Sequence, residues 1–525
     1  MASVRHRRKK QSCSSLRRKA RRIKSKRKRR AALRHLPKRC RTRPRKPKTP
    51  ITTGGTQPVV TPMPSGSGTP SPGGQTSPGG SLGASPIATY AGTFGPRQAE
   101  RLLWRAGFGP RPGQAAQLAA LGLNGAVAWL TRPTGTAPMD GAGPTVDGAP
   151  LDPYGQWGHD HLWWLDRMVR SGQPLVERMA LVLHDWFATS DDGVGSRKFM
   201  LDQNELFRQN GLGNFKSLVR AVTTDPAMLV WLSGLDNRKN AINENYGREL
   251  MELFTLGADR GAYTETDVRE IARSLSGWRA DWDDDIGLYN FRFDTRRWDA
   301  GSKTVFGHTG AFTWEDACRL VVEHPLHPSF FVRKLWSYFI PTPPSQAQAD
   351  ALAKAYVDSG FEIRPVLEAI LRAPELYGPA RMIKPTVVFC AGMLRATGRT
   401  IGTDSWVWMC GMAGQLLFHP PDVSGWDDSR WLDTSTMAGR WELVNQVLEG
   451  KTVEPYGSYP IESGLGALDA ARALWSDPPL TDETVTALTD WANTAIAGNG
   501  NGWNRASRAN ALKMLVGMCP DHHTS

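Results

Sequence analysis

Two runs of this sequence carry side chains able to hold a metal or move a proton. The first is Asn243-Glu244-Asn245-Tyr246-Gly247-Arg248-Glu249-Leu250-Met251-Glu252-Leu253-Phe254-Thr255-Leu256-Gly257. It reads as one helix stopped by its final glycine. At about 100° per residue, Tyr246, Leu250, Leu253 and Phe254 gather on one side, and Asn245, Arg248, Glu249 and Glu252 on the other. Arg248 stands four residues from both Glu244 and Glu252. On a solvated face that spacing is an ion-pair ladder contributing about 0.2–0.5 kcal/mol per pair. Lining a cleft, the same face is a carboxylate cluster suited to a divalent cation or to acid–base work. Glu249 and Glu252 would then be the reacting groups, and Asn245 and Arg248 the binding ones.

The second run spans residues 174–189. Met179, Leu181, Val182, Leu183, Trp186, Phe187 and Ala188 cover most of its circumference, the pattern of a buried helix. Glu177 and His184, seven residues apart, share one face two turns apart. A buried carboxylate and imidazole need partners. They serve either a structural polar network or a catalytic or metal-binding one. Loops 279–312 and 418–436 are long for compact connections and rich in Trp, Asp and Gly, which suits a lined, ordered cleft. The expected pocket lies where the 245–252 face meets Glu177 and His184 beneath these loops. Asp267, Arg273, Trp278, Asp422 and Trp426 are its further binding residues. The loop tryptophans either stack on a ligand or plug the core.

Other signals are weak. His159-Asp160-His161 opens a helix, where alternate residues point apart. Asp259–Asp267 lacks the alternating ligands of a calcium loop and reads as a tight connection with a capped start at Thr264. There is no phosphate-cradling glycine loop, no Gly-x-Ser-x-Gly elbow and no His-Glu-x-x-His motif. Six cysteines, none spaced Cys-x-x-Cys, give no thiolate zinc site. No cofactor is evident beyond a divalent cation at the carboxylate face.

The elements that position these residues are mostly helices. Periodicity predicts them at 157–171, 174–189, 196–209, 214–223, 243–256, 265–276, 313–323, 328–339, 345–358, 362–372 and 383–396. Four more follow near 437–449, 466–475, 483–496 and 503–517. Leu288–Phe293 alternates apolar and polar residues and predicts a small hairpin or extended lid. The fold class is mainly α: a large multi-helix domain over 91–525 with a small β insertion.

The 525 residues carry 65 Lys and Arg against 50 Asp and Glu, but the balance is uneven. Residues 1–50 hold 24 of the basic residues and no acidic one, leaving a mildly acidic body. Residues 1–48 read as a disordered polybasic tail and 49–90 as a Pro/Gly/Ser/Thr-rich linker. The tail suits a polyanion, either nucleic acid or an anionic envelope polymer. It has no Phe, Tyr or Trp, so binding would be backbone-type and salt-sensitive. The acidic body could dock a protein partner. No apolar run is long enough for a transmembrane helix. The absence of a signal peptide predicts a cytoplasmic start.

The 243–257 run, followed by Tyr263-Thr264-Glu265 and by Asp267-Val268-Arg269-Glu270-Ile271-Ala272-Arg273-Ser274-Leu275-Ser276-Gly277-Trp278, resembles the signature of the bacterial family called domain of unknown function 1800. Leu102–Gly109, Asp225–Leu229 and Gly414–Trp426 are similar to its opening, middle and late motifs. The resemblance covers about residues 91–450 and extends toward the end of the chain. It implies a helical domain with no settled activity, in a family whose members are often exported. Members commonly show Trp-His-Asn-His-Phe where this chain has Leu183-His184-Asp185-Trp186-Phe187. They often show His-Asp where it has Trp298-Asp299, so two family histidines are absent. Three functions follow: a hydrolase of an envelope polymer using Glu249, Glu252, His184 and Glu177; a non-catalytic scaffold or assembly factor; or a polyanion binder acting through its tail.

Overall fold

The computed structural model describes residues 87–135, 138–454 and 462–525. The expectations for the tail, and for the linker up to residue 86, fall outside these residues. Helices dominate. The predicted elements form as Pro174–Trp186, Arg197–Asn210, Phe215–Thr224, Glu265–Ser274, His327–Ser337 and Thr386–Thr397, among others. Short helices at Gln114–Ala120, Gly122–Thr131, Pro226–Trp231 and Ser405–Met412 join them. These last are too short or too uniformly apolar to give a clear period.

Among the described residues, β structure amounts to three two-stranded antiparallel sheets. The largest pairs Trp278–Asp283 with Gly287–Phe293 and carries a register shift between Arg279 and Asp281. Lys303–Val305 pairs with His308–Gly310. The predicted hairpin segment is therefore two successive hairpins. The first exposes Trp282, Ile286 and Tyr289.

Every residue of helix Thr386–Thr397 is buried. It packs on helix His159–Arg170 and is crossed by Trp104 from helix Pro96–Arg105. A Cβ at Gly392 would sit 2.1 Å from the Trp104 ring, so only glycine permits that crossing. Helix Pro174–Trp186 lies against Arg197–Asn210. Trp186 and Phe187 form its aromatic seam with Phe215, Phe254 and Phe331. Among the described residues no helix is long and apolar enough to cross a membrane.

Candidate functional site

Helix Pro174–Trp186 begins on a proline, whose missing N–H costs nothing in a first turn. Eleven of its thirteen residues are buried, and its ionisable side chains meet different fates. Glu177 is 1% exposed and fully paired. Arg167 Nε donates to its Oε1 at 2.9 Å, and Arg208 donates to Oε1 and Oε2 at 2.8 and 2.9 Å. Both guanidiniums lie over the Trp163 ring. His184 is wholly buried, and among the described residues neither ring nitrogen has a hydrogen-bonding partner. Trp164, Phe207, Phe418 and Trp426 surround it at ring-centroid distances of 5.4–6.3 Å. Burial, with help from nearby His419, pushes its pKa down to about 3, so the ring is neutral at physiological pH.

The next residue, Asp185, is held by donors from two distant parts of the chain. Its Oδ1 accepts the Trp426 backbone N–H at 2.8 Å, and its Oδ2 accepts the Tyr338 hydroxyl at 2.8 Å. The loop reaches it because Gly425 sits at φ +95°, where a Cβ would fall 2.3 Å from Asp185 Oδ1. Burial raises the Asp185 carboxyl above its ordinary value, and the two hydrogen bonds and Lys334 oppose that rise. Lys334 stands one turn before Tyr338. Burial lowers its amine to about 8, against the attraction of Asp185. Burial also raises the Tyr338 hydroxyl, which stays protonated and a donor. The buried Arg178 guanidinium adds positive charge near Asp185 and Tyr338. The group thus joins a carboxyl pushed up, an amine pushed down and a fixed hydroxyl, under the loop carrying Trp426.

Lys334 is anchored from below by an irregular helix. The predicted 243–256 helix forms as Asn245–Glu249 and then widens into a π-helical turn, Leu250–Thr255. Four consecutive carbonyls at its end are each captured by a different side chain. Leu253 O accepts from Lys334 Nζ at 3.0 Å and Phe254 O from Trp186 Nε1 at 3.1 Å. Thr255 O meets His327 Nδ1 at 2.7 Å, and Leu256 O accepts from Arg260 at 2.7 Å. A widened turn leaves its last carbonyls without helical donors, and here side chains replace them.

The charged face of that helix is engaged elsewhere. Arg248 pairs with Glu244, Glu252 and Glu265 at 3.6, 3.2 and 2.7 Å. Glu249 is half-buried, and its pKa is raised by burial and by the like charge of Glu252. Asn245 is exposed. Among the described residues no hydrogen bond or ion pair links Glu249 or Glu252 to His184 or Glu177. Asp267 closes the capping box with Thr264 and also accepts the Phe306 N–H at 2.8 Å. Arg273 pairs with Glu270 at 2.6 Å and with Asp299 at 2.8 Å. Trp278 is buried at the root of the first hairpin, against Phe293 and Trp314. Asp422 turns its own loop by accepting from Ser424 N and Oγ. The predicted residues therefore fall into four groups: Glu177 with Arg167 and Arg208, the Asn245/Arg248/Glu249/Glu252 face with Glu265, and two more. His184, Asp422 and Trp426 gather with the 418–426 loop. Asp267, Arg273 and Trp278 gather with the hairpins.

Sequence reasoning passed over Asp185, Lys334 and Tyr338. Asp185 is 153 residues from Tyr338, so no local period joins them. The available signal was a lysine and a tyrosine four residues apart at the end of the aromatic-rich helix His327–Ser337. Among the described residues no three His, Cys, Asp or Glu side chains are grouped so as to hold a metal ion.

No curated protein and no solved structure matches this chain. A family model described as "Protein of unknown function (DUF1800)" matches residues 101–521, taking in the 174–186 helix, the widened helix and the 418–426 loop. By that match, over most of its length, the chain belongs to the DUF1800 family.

Proposed function

We propose that the protein is a hydrolase acting on an envelope polymer, with Asp185, Tyr338 and Lys334 as its proton-handling centre. The observation that carries this reading is Asp185, a half-buried carboxyl with two fixed donors beside an amine lowered to about 8. Asp185 takes a proton from water as the oxygen attacks the scissile bond, and the Lys334 ammonium gives one to the leaving group. Both groups are shifted toward neutrality, where such transfers are most effective. Glu177 holds the helix in place, while His184 and Trp426 keep bulk water from the far side of the carboxyl. The choice of an envelope polymer follows from the resemblance to a family often exported. Full-length protein incubated with labelled peptidoglycan and with dye-linked polysaccharides should release soluble product from one of them. Asp185→Asn keeps the shape and removes the base, so it should lose about 100-fold or more of that turnover. Unchanged turnover in Asp185→Asn, or no release by the native protein, would overturn the reading.

A second reading is a non-catalytic scaffold tethered by its tail. It is favoured by the 24 Lys and Arg of residues 1–50 with no acidic residue among them. Counterion release makes such a segment a salt-sensitive arm for polyanions of any sequence. Equal binding of duplex DNA or polyphosphate by the full chain and by a chain lacking residues 1–50, at low salt, would remove it.

A further inference from the structure

One buried cation is left unanswered by the fold. Arg178 lies on helix Pro174–Trp186, next to Glu177, and is 3% exposed. Its Nε is sealed from solvent and has no partner. Among the described residues its guanidinium makes no hydrogen bond, no ion pair and no stack on an aromatic ring. The other buried Lys and Arg side chains among the described residues are treated differently. Arg105, Lys303, Lys384, Arg395, Arg440 and Arg508 each donate to at least one backbone carbonyl. Burial lowers the Arg178 pKa to about 10, so the group keeps its proton and its charge at neutral pH. An enclosed charge without a partner is among the costliest arrangements a fold can hold.

The charges around Arg178 do not balance it. Asp185, two turns on along the same helix face, attracts it, but the two Asp185 oxygens are taken by the Trp426 N–H and the Tyr338 hydroxyl. Arg105, held by Phe339 O at 2.7 Å and Ala380 O at 3.2 Å, repels it. Lys334, which also faces Asp185, donates to Leu253 O at 3.0 Å. Asp428 adds negative charge toward Asp185, but from an exposed loop. Three cations therefore stand against one half-buried and one exposed carboxyl.

We propose that Arg178 anchors a binding site for a halide-sized monovalent anion, beside the Asp185–Tyr338 pair. A guanidinium carries five N–H donors on a rigid fork, and here they are unspent. The sign of the ligand follows from the excess of cations, since a second cation would be repelled by Arg105 and Arg178 together. Its size follows from the 3% exposure, which admits a sphere about as large as water and excludes a polymer segment. A water molecule would answer the donors but leave the charge uncompensated. The site does not depend on the hydrolase reading, because the unpaired charge is present whatever reaction the neighbouring group performs.

The test is thermal unfolding of the full-length protein in sodium chloride, sodium bromide and sodium gluconate at equal ionic strength, which holds screening constant, that of the basic tail included. An ion that binds only the folded state stabilises it saturably. Chloride and bromide should therefore raise the midpoint above that in gluconate, an anion too large for the site, by about 2 °C at a roughly tenfold excess over half-saturation. In Arg178→Met that difference should vanish. Methionine keeps the apolar stem and removes the unpaired charge, so in gluconate this variant should melt at or above the native midpoint. Equal native midpoints in halide and gluconate, or the same halide response in Arg178→Met, would overturn the proposal. So would a lower midpoint for Arg178→Met in gluconate, which would make the guanidinium a structural element of the fold.

Discussion

Helix 174–186 and the widened helix 245–255 both carry carboxylates among arginines, and they use them in opposite ways. On 245–255 the charges sit at the surface, where Arg248 is shared among three glutamates. On 174–186 they are enclosed, and each has a fixed set of partners or none. Water levels the first set, so exchanging one partner changes little. In the second set every missing partner is felt at full strength. Number of charges therefore says little about chemical use, and enclosure says a great deal.

That contrast is open to direct attack. The largest effect is expected for Glu177→Ala, which takes the buried carboxylate from Arg167 and leaves Arg208 only the half-exposed carboxylate of Glu205. It should cost about 3–5 kcal/mol in urea unfolding, and a loss below 1 kcal/mol would erase the contrast. Asp185→Ala leaves the Trp426 N–H and the Tyr338 hydroxyl unanswered. A loss of about 1–3 kcal/mol is expected by the same measurement. Arg248→Ala should stay within about 1 kcal/mol, and raised salt should shrink even that.

The smallest effect at neutral pH belongs to His184→Phe, expected within about 1 kcal/mol because no hydrogen bond is lost. Its interest lies in acid. The folded value of about 3 is below the ordinary 6.5, so the unfolded chain takes up the proton first. Native stability is complete above pH 6.5 and falls as pH drops toward 3. His184→Phe should flatten that fall in thermal melts taken between pH 7 and pH 4. His327, lowered to about 4 by burial, keeps its own share of the slope. A slope identical to that of the native protein would show that His184 is accessible to protons in the fold.

The long amphipathic helices and their caps were legible because period and cap chemistry are local. The start at Thr264 is an example, with Asp267 answering it in the capping box. Glu177's need for a basic partner was legible too, since burial followed from the helix's apolar circumference. Which arginines answer it was not, because Arg208 lies 31 residues away on another helix. The isolation of His184 was illegible for the same reason: its neighbours Phe418 and Trp426 come from a loop more than 200 residues on. Asp185 drew no notice because a single aspartate beside a tryptophan has no period. Its meaning depends on Tyr338 and on the backbone at Gly425 and Trp426.

The four captured carbonyls at residues 253–256 place a constraint of another kind on this chain. A π turn contains one more residue than the α turn it replaces. Substituting a side chain there leaves the carbonyl where it was, so Leu253 or Phe254 could change identity while Lys334 and Trp186 kept their acceptors. Removing one residue is different. It would close the wide turn to α geometry and bring different residues to the positions where these carbonyls are now held. Lys334, Trp186, His327 and Arg260 would lose their acceptors together, and Lys334 would no longer be held beside Asp185. At this segment the inherited quantity is a residue count rather than a set of side chains, and a single-codon deletion is the small genetic change best able to dismantle the site from a distance.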